Sequence, residues 1–160
     1  MENNKFLKVH SLLRMFACVL AIAVFIAMFS AKQMIHTEFD KVFVDFQNGA
    51  FFGDDAYKNG NVIAFIGYLL VFIGGLAGLA FVFIDEIIGK DLTKKLSFVV
   101  GGVMVLGGVA ILLFTPVFKA LNDIDSDLFK NAAGPIVFGI FALVAGACNV
   151  AAPILEDKGL

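Results

Sequence analysis

VIAFIGYLLVFIGGLAGLAFVFI, residues Val62–Ile84, holds no Asp, Glu, Lys, Arg or His in 23 positions. As a helix rising about 1.5 Å per residue, such a run crosses the roughly 30 Å hydrocarbon layer of a bilayer once. Three more runs of the same kind lie around it: Met15–Ala31 before, Leu96–Phe118 and Ala132–Ala152 after. The reading is an all-α membrane protein with four spans, about 15–31, 62–84, 96–118 and 132–152. The chain is 160 residues long, 60% hydrophobic and has a mean hydropathy of +0.92. That leaves one membrane domain, 1–160, with no room for a separate soluble enzyme.

The absence of charge from the runs excludes function classes. Ion-coupled transporters, pumps and voltage sensors keep ionisable groups within the membrane, where they are costly and retained for a purpose. The net charge of −2 implies no nucleic-acid partner. Cys18 and Cys148 both fall inside runs, so no disulfide framework ties the loops, and each reads as a small packing residue.

Lys5, Lys8 and Arg14 precede the first run, as in a signal peptide or an anchor. Cleavage before Lys32 would put Phe29 at the −3 position, where a small residue is needed, so the run reads as a retained span. Orientation follows from Lys and Arg in short loops. With the N-terminus inside, the cytoplasmic segments hold Lys5, Lys8, Arg14, Lys90, Lys94, Lys95 and Lys158, against Lys32, Lys41, Lys58, Lys119 and Lys130 outside. The expectation is a multi-pass plasma-membrane protein with both termini cytoplasmic.

The connections are then two outer loops, about 32–61 and 119–131, and an inner loop, about 85–95. Short second and third connections force antiparallel neighbours, giving a four-helix transmembrane bundle of up-down-up-down order. Pro135 opens the fourth span, Pro153 closes it, and Pro116 ends or kinks the third.

Gly74-xxx-Gly78 and Ala142-xxx-Gly146 are small-xxx-small steps, and Gly101 and Gly108, seven apart, share a helix face. In lipid, close backbone approach across such residues supplies the van der Waals contact that holds helices together. Gly74, Gly78, Gly101, Gly108, Ala142 and Gly146 therefore mark helix packing within the bundle or an interface with a partner. Phenylalanine is the other bias, at 19 residues. Phe39, Phe43, Phe46, Phe51 and Phe52 crowd the first outer loop, which a free aqueous loop would not carry. The loop folds on the bundle as a small apolar cap, lies in the interface, or binds something. As a helix, Ile35, Phe39, Phe43 and Phe46 share one face. As strands, Val42–Phe46 and Ala50–Phe52 flank Asn48-Gly49, a favoured hairpin dipeptide. The hairpin is the preferred reading, with Lys32–Thr37 continuing the first span as helix.

Little chemistry stands out. His36, Glu38 and Asp40 alternate but match no metal-site spacing. Asp123, Asp125 and Asp127 open like a calcium loop, yet Leu128 and Gly134 stand where that loop needs Gly and Glu. Asn149 is the only amide within the runs and bonds a neighbouring helix or interfacial water. There is no nucleophile beside a base and no phosphate-binding glycine loop. No enzyme activity, cofactor or metal is expected.

The layout resembles small uncharacterised four-span membrane proteins of Gram-positive and wall-less bacteria. The likeness rests on a basic start, a Phe-Gly element at Phe52-Gly53 in a long first outer loop, glycine-rich later spans, and Thr115-Pro116 closing the third. It also looks like the claudin-type tetraspan plan. Claudins carry a Trp and a cysteine pair in the first loop; this chain has neither there, so the architecture alone transfers. The function expected is a non-enzymatic scaffold or accessory subunit, associating laterally with itself or a larger membrane complex. The alternatives are a small channel or conduit and a lipid-interacting protein.

Overall fold

The computed structural model describes residues 8–38, 41–43, 51–53, 59–125 and 128–159. Four of its helices are long and apolar enough to cross a membrane: α1 (Val9–Ser30), α2 (Val62–Ile88), α3 (Lys90–Leu112) and, last in the chain, α5 (Ala133–Asp157). A short helix, α4 (Phe114–Leu121), follows α3. Strands β1 (Met34–Glu38), β2 (Lys41–Phe43) and β3 (Phe129–Asn131) complete the described elements. α1 packs on α2 and α5, and α3 packs on the same two helices, so the four form a closed ring in up-down-up-down order. The fold is the expected all-α bundle of a multi-pass membrane protein.

Close approach of backbones builds the ring. A Cβ added at Gly67 would stand 2.8 Å from the Gly107 carbonyl, and one at Gly107 would stand 2.7 Å from that of Gly67. Gly101 and Gly146 face each other across α3 and α5 in the same way. Side chains larger than hydrogen at these crossings would push the helices apart. Val71, Met104, Ile111, Ala142 and Ala145 fill the centre, fully buried.

The helices run past the apolar stretches. α1 begins at Val9 and so includes Arg14; α2 includes Asp85; α5 passes through Pro153 to Asp157. The inner connection read as about 85–95 is helical except at Gly89, whose φ of +87° makes the reversal where other residues would be strained. Pro153 does not close α5: the helix runs one more turn, on which Glu156 and Asp157 pair with Arg14, Lys90 and Lys94. Pro116 does act as a punctuator. It has no N–H to give the Leu112 carbonyl, and the third span breaks at Leu113 into α3 and α4.

The cap differs in register from expectation. α1 stops at Ser30, and Met34–Glu38 is a strand, so Lys32–Thr37 does not continue the helix. β1 pairs antiparallel with β2, Glu38 opposite Lys41, and on its other edge with β3, Met34 opposite Asn131. The sheet order β2-β1-β3 thus joins the two loop regions at this end of the bundle. A β1–β2 hairpin stands between α1 and α2; the expected turn at Asn48-Gly49 lies outside the described residues, and Phe51-Phe52 form a turn. A strand partner from the second loop prevails because Asn131 is anchored at the α3–α4 break, which fixes β3 beside β1.

Candidate functional site

At the end of the bundle opposite the sheet lies a polar cluster. Its residues are His10, Ser11 and Arg14 on α1, Asp85 on α2, Thr93 and Ser97 on α3, and Glu156 on α5; all but Glu156 are buried. Arg14 is 1% exposed. Its Nη2 donates to Ser97 Oγ at 3.4 Å and stands 3.7 Å from Glu156 Oε2. Lys90 Nζ reaches the other oxygen of Glu156 at 3.8 Å. Asp85 acts on the charge of Arg14 from α2. One guanidinium thus addresses all four spanning helices where their ends meet. Lys94 and Asp157 pair on the surface beside it.

The expectation of an interior without charge fails here. The apolar runs are free of ionisable residues, but the helices extend about a turn or two beyond them and bury part of the polar side chains of those added turns, His10, Ser11, Arg14, Asp85 and Thr93. The pattern is present in the sequence. His10, Ser11, Arg14, Ala17, Cys18, Ala21 and Val24 are spaced by one, three or four, and they form the single buried stripe of α1. A basic residue in line with such a stripe faces the bundle, whereas one off it would mark only orientation. Arg14 Nε and Ser11 Oγ have no hydrogen-bond partner among the described residues.

The sheet end is closed by amides. The Asn131 side chain donates to the Leu112 carbonyl at 2.7 Å and accepts from the Thr115 N–H at 2.9 Å, so one amide satisfies both backbone groups freed at the break. Asn61, fully buried, caps α2 by accepting from the Ala64 N–H and donates to the Phe114 carbonyl at 2.8 Å. The Asn122 side chain accepts from the Asn59 N–H and donates to the Asn59 carbonyl, and the Asn59 side chain donates to the Leu121 carbonyl, which ties the end of α4 to the start of α2. Gln33 donates to the carbonyls of Ala27 and Ala31 at the end of α1 and accepts from the Tyr68 hydroxyl at 2.8 Å.

The residues singled out from sequence fall into two groups. Gly74 faces Met104 on α3, and Gly78 faces Asn149 on α5. Gly101 faces Gly146, and Gly108 faces Ala142 and Gly139. All six small residues are thus occupied by the chain's own helices. Gly102, next to Gly101, points outward with nothing within 4 Å. Asn149 lies against α2 and α3, its Nδ2 3.1 Å from Met104 Sδ. The cap phenylalanines are divided. Phe51 is buried, with its ring edge-on to Tyr68 and Phe114. Phe52 is exposed beside Phe65. Phe39 and Phe46 lie outside the described residues, as does the Phe43 side chain. Cys18 and Cys148 are free thiols.

Compared with known proteins, the chain matches no family model and no curated sequence. What the fold carries is the four-span layout itself, a bundle with a small sheet cap at one end and a buried ion cluster at the other.

Proposed function

We propose that the chain is a non-enzymatic scaffold or accessory subunit of the cell membrane, which associates laterally with itself or with a larger membrane complex. The observation that supports this reading is the closed interior. Backbone meets backbone at Gly67–Gly107 and Gly101–Gly146, and the residues between are fully buried, so a single bundle offers its surface and its ends as working parts. The lateral surface is apolar, with Ile22, Ile26, Ile73, Val99, Leu106 and Ile140 exposed along the helices.

On this reading both termini face the cytoplasm, which the distribution of basic residues supports. Among the described residues, Lys8, Arg14, Lys90, Lys94, Lys95 and Lys158 belong to the cluster end, against Lys32, Lys41, Lys119 and Lys130 at the sheet end. Labelling of a single cysteine introduced at Lys95 or at Lys130 from either side of sealed vesicles tests that orientation.

Substitution at Gly74 or Gly78 would disturb the bundle itself, so the test of association leaves the chain intact. Extraction from membranes in mild detergent, followed by sizing and mass spectrometry, should give a defined assembly larger than the monomer. A lone monomer would overturn the reading, as would selective solute flux through liposomes holding the purified protein.

A further inference from the structure

At the sheet end, α4 and β3 leave a groove of about 360 Å³ between them, lined by Thr115, Pro116, Lys119, Phe129, Lys130 and Asn131. Thr115, Pro116 and Lys119 come from one face of α4, at i, i+1 and i+4. Two cations therefore flank one concavity, and neither has an ion-pair partner among the described residues. Thr115 is 3% exposed, and its Oγ1 is buried with no hydrogen-bond partner among the described residues. Asp123 and Asp125, in the segment just beyond α4, do not line the groove.

We propose that this groove binds the phosphate of an anionic glycerophospholipid headgroup in the leaflet at the sheet end. Lys119 and Lys130 supply charge from the two walls, and the Thr115 hydroxyl, once its side chain rotates toward the groove, supplies a donor. The lipid source, rather than a soluble phosphate, is favoured by what lies below. Val109, Leu113 and Pro116 are exposed at successive turns, so an apolar strip leads from the lipid-facing side of α3 to the groove wall. Acyl chains along that strip would leave the headgroup level with the lysines. The two lysines lie at the sheet end, beyond the lateral residues proposed for partners, while the strip below them continues the face of α3 that carries Leu106.

The test is native mass spectrometry of the full chain in neutral detergent, titrated with phosphatidylglycerol or phosphatidylcholine, with inorganic phosphate as a third probe. Phosphatidylglycerol should bind about 10-fold more tightly than phosphatidylcholine. In the K119Q/K130Q variant the preference should fall to within about 2-fold. Both positions have surface-reaching side chains outside the helix crossings, so folding should be retained. Thr115→Val should weaken phosphatidylglycerol without altering phosphatidylcholine. Lys32→Gln, at the same end but on another groove, should leave the preference intact. The proposal is overturned if K119Q/K130Q keeps the preference, or if Lys32→Gln lowers it equally. It also fails if inorganic phosphate binds in a lysine-dependent way while the two lipids do not differ.

Discussion

The two ends of this bundle meet the same requirement with different chemistry. At the cluster end, Arg14 is met by the Ser97 hydroxyl and the Glu156 carboxylate, Lys90 pairs with Glu156 in turn, and side chain meets side chain. At the sheet end, neutral amides reach backbone groups that the fold has left open: Asn131 at the α3–α4 break, Asn61 at the start of α2, Gln33 at the end of α1. The difference follows from geometry. α2 and α3 reverse through Gly89 alone, so helices at that end continue to the turn and leave few backbone groups open. The sheet end carries a proline break and two longer connections, which free both N–H and C=O groups. An amide presents donor and acceptor together, which a charge cannot do.

If the ends differ in this way, the largest effect should come from Arg14. Arg14→Met keeps the length and removes the buried guanidinium of the cluster, leaving Asp85 buried and Glu156 with Lys90 alone. The expected loss is about 3 kcal/mol, the lower end of what breaking one side of a buried ion pair costs. Reversible unfolding in mixed micelles measures it. Adding Glu156→Gln should cost little further, because the acid has already lost its buried partner and keeps only the exposed Lys90. A double variant worse than Arg14→Met by the full cost of Glu156→Gln would mean that the two side chains are not coupled.

At the other end, Asn131→Ala leaves the Leu112 carbonyl and the Thr115 N–H without partners, for an expected cost of about 2 kcal/mol. Asn131→Asp sharpens the comparison. It keeps the acceptor for Thr115 and places a carboxylate oxygen against the Leu112 carbonyl, so it should cost as much as alanine or more. An aspartate variant as stable as the parent would show that the donor half of the amide is dispensable. Asn61→Ala should cost somewhat less, about 1–2 kcal/mol, combining a lost helix cap with an unmet Phe114 carbonyl. Hydrogen exchange at the Ala64 amide should quicken in that variant and not in Arg14→Met, since the two sites lie at opposite ends.

These contacts also divide the features legible in the sequence from those that are not. Four spans, their alternating order and the break at Pro116 follow from run length, loop length and the chemistry of proline, all of which are local. The role of Asn131 is not local. It depends on a carbonyl 19 residues earlier in the chain, freed by a proline between them. Arg14 is visible in the sequence but reads as a loop charge, because hydropathy ends a span where charge begins, whereas a helix ends where its backbone bonds end. The six small residues are identifiable from spacing alone, yet spacing cannot distinguish a partner's helix from the chain's own; Gly101 and Gly102 are adjacent, and only one faces α5. The start of the cap differs for a related reason: Lys32–Thr37 reads locally as a continuation of the first span, while β1 is held by a strand more than 90 residues further on.

The smallest expected effect tests whether burial, rather than charge itself, sets the strength of the cluster end. Lys94 and Asp157 form an ion pair there, but both side chains are exposed, at 41% and 55%. Water screens such a pair, and ordering two mobile side chains offsets much of the attraction. Lys94→Gln should therefore cost less than about 1 kcal/mol, and raising the salt concentration should shrink that difference further. Arg14→Met should respond less to the same salt, because the guanidinium itself is shielded from solvent by the helices. If the two variants lost similar stability and responded alike to salt, the arginine would be acting as one more surface charge. The distinction between a buried lock at this end and a rim of solvated pairs around it would then fall.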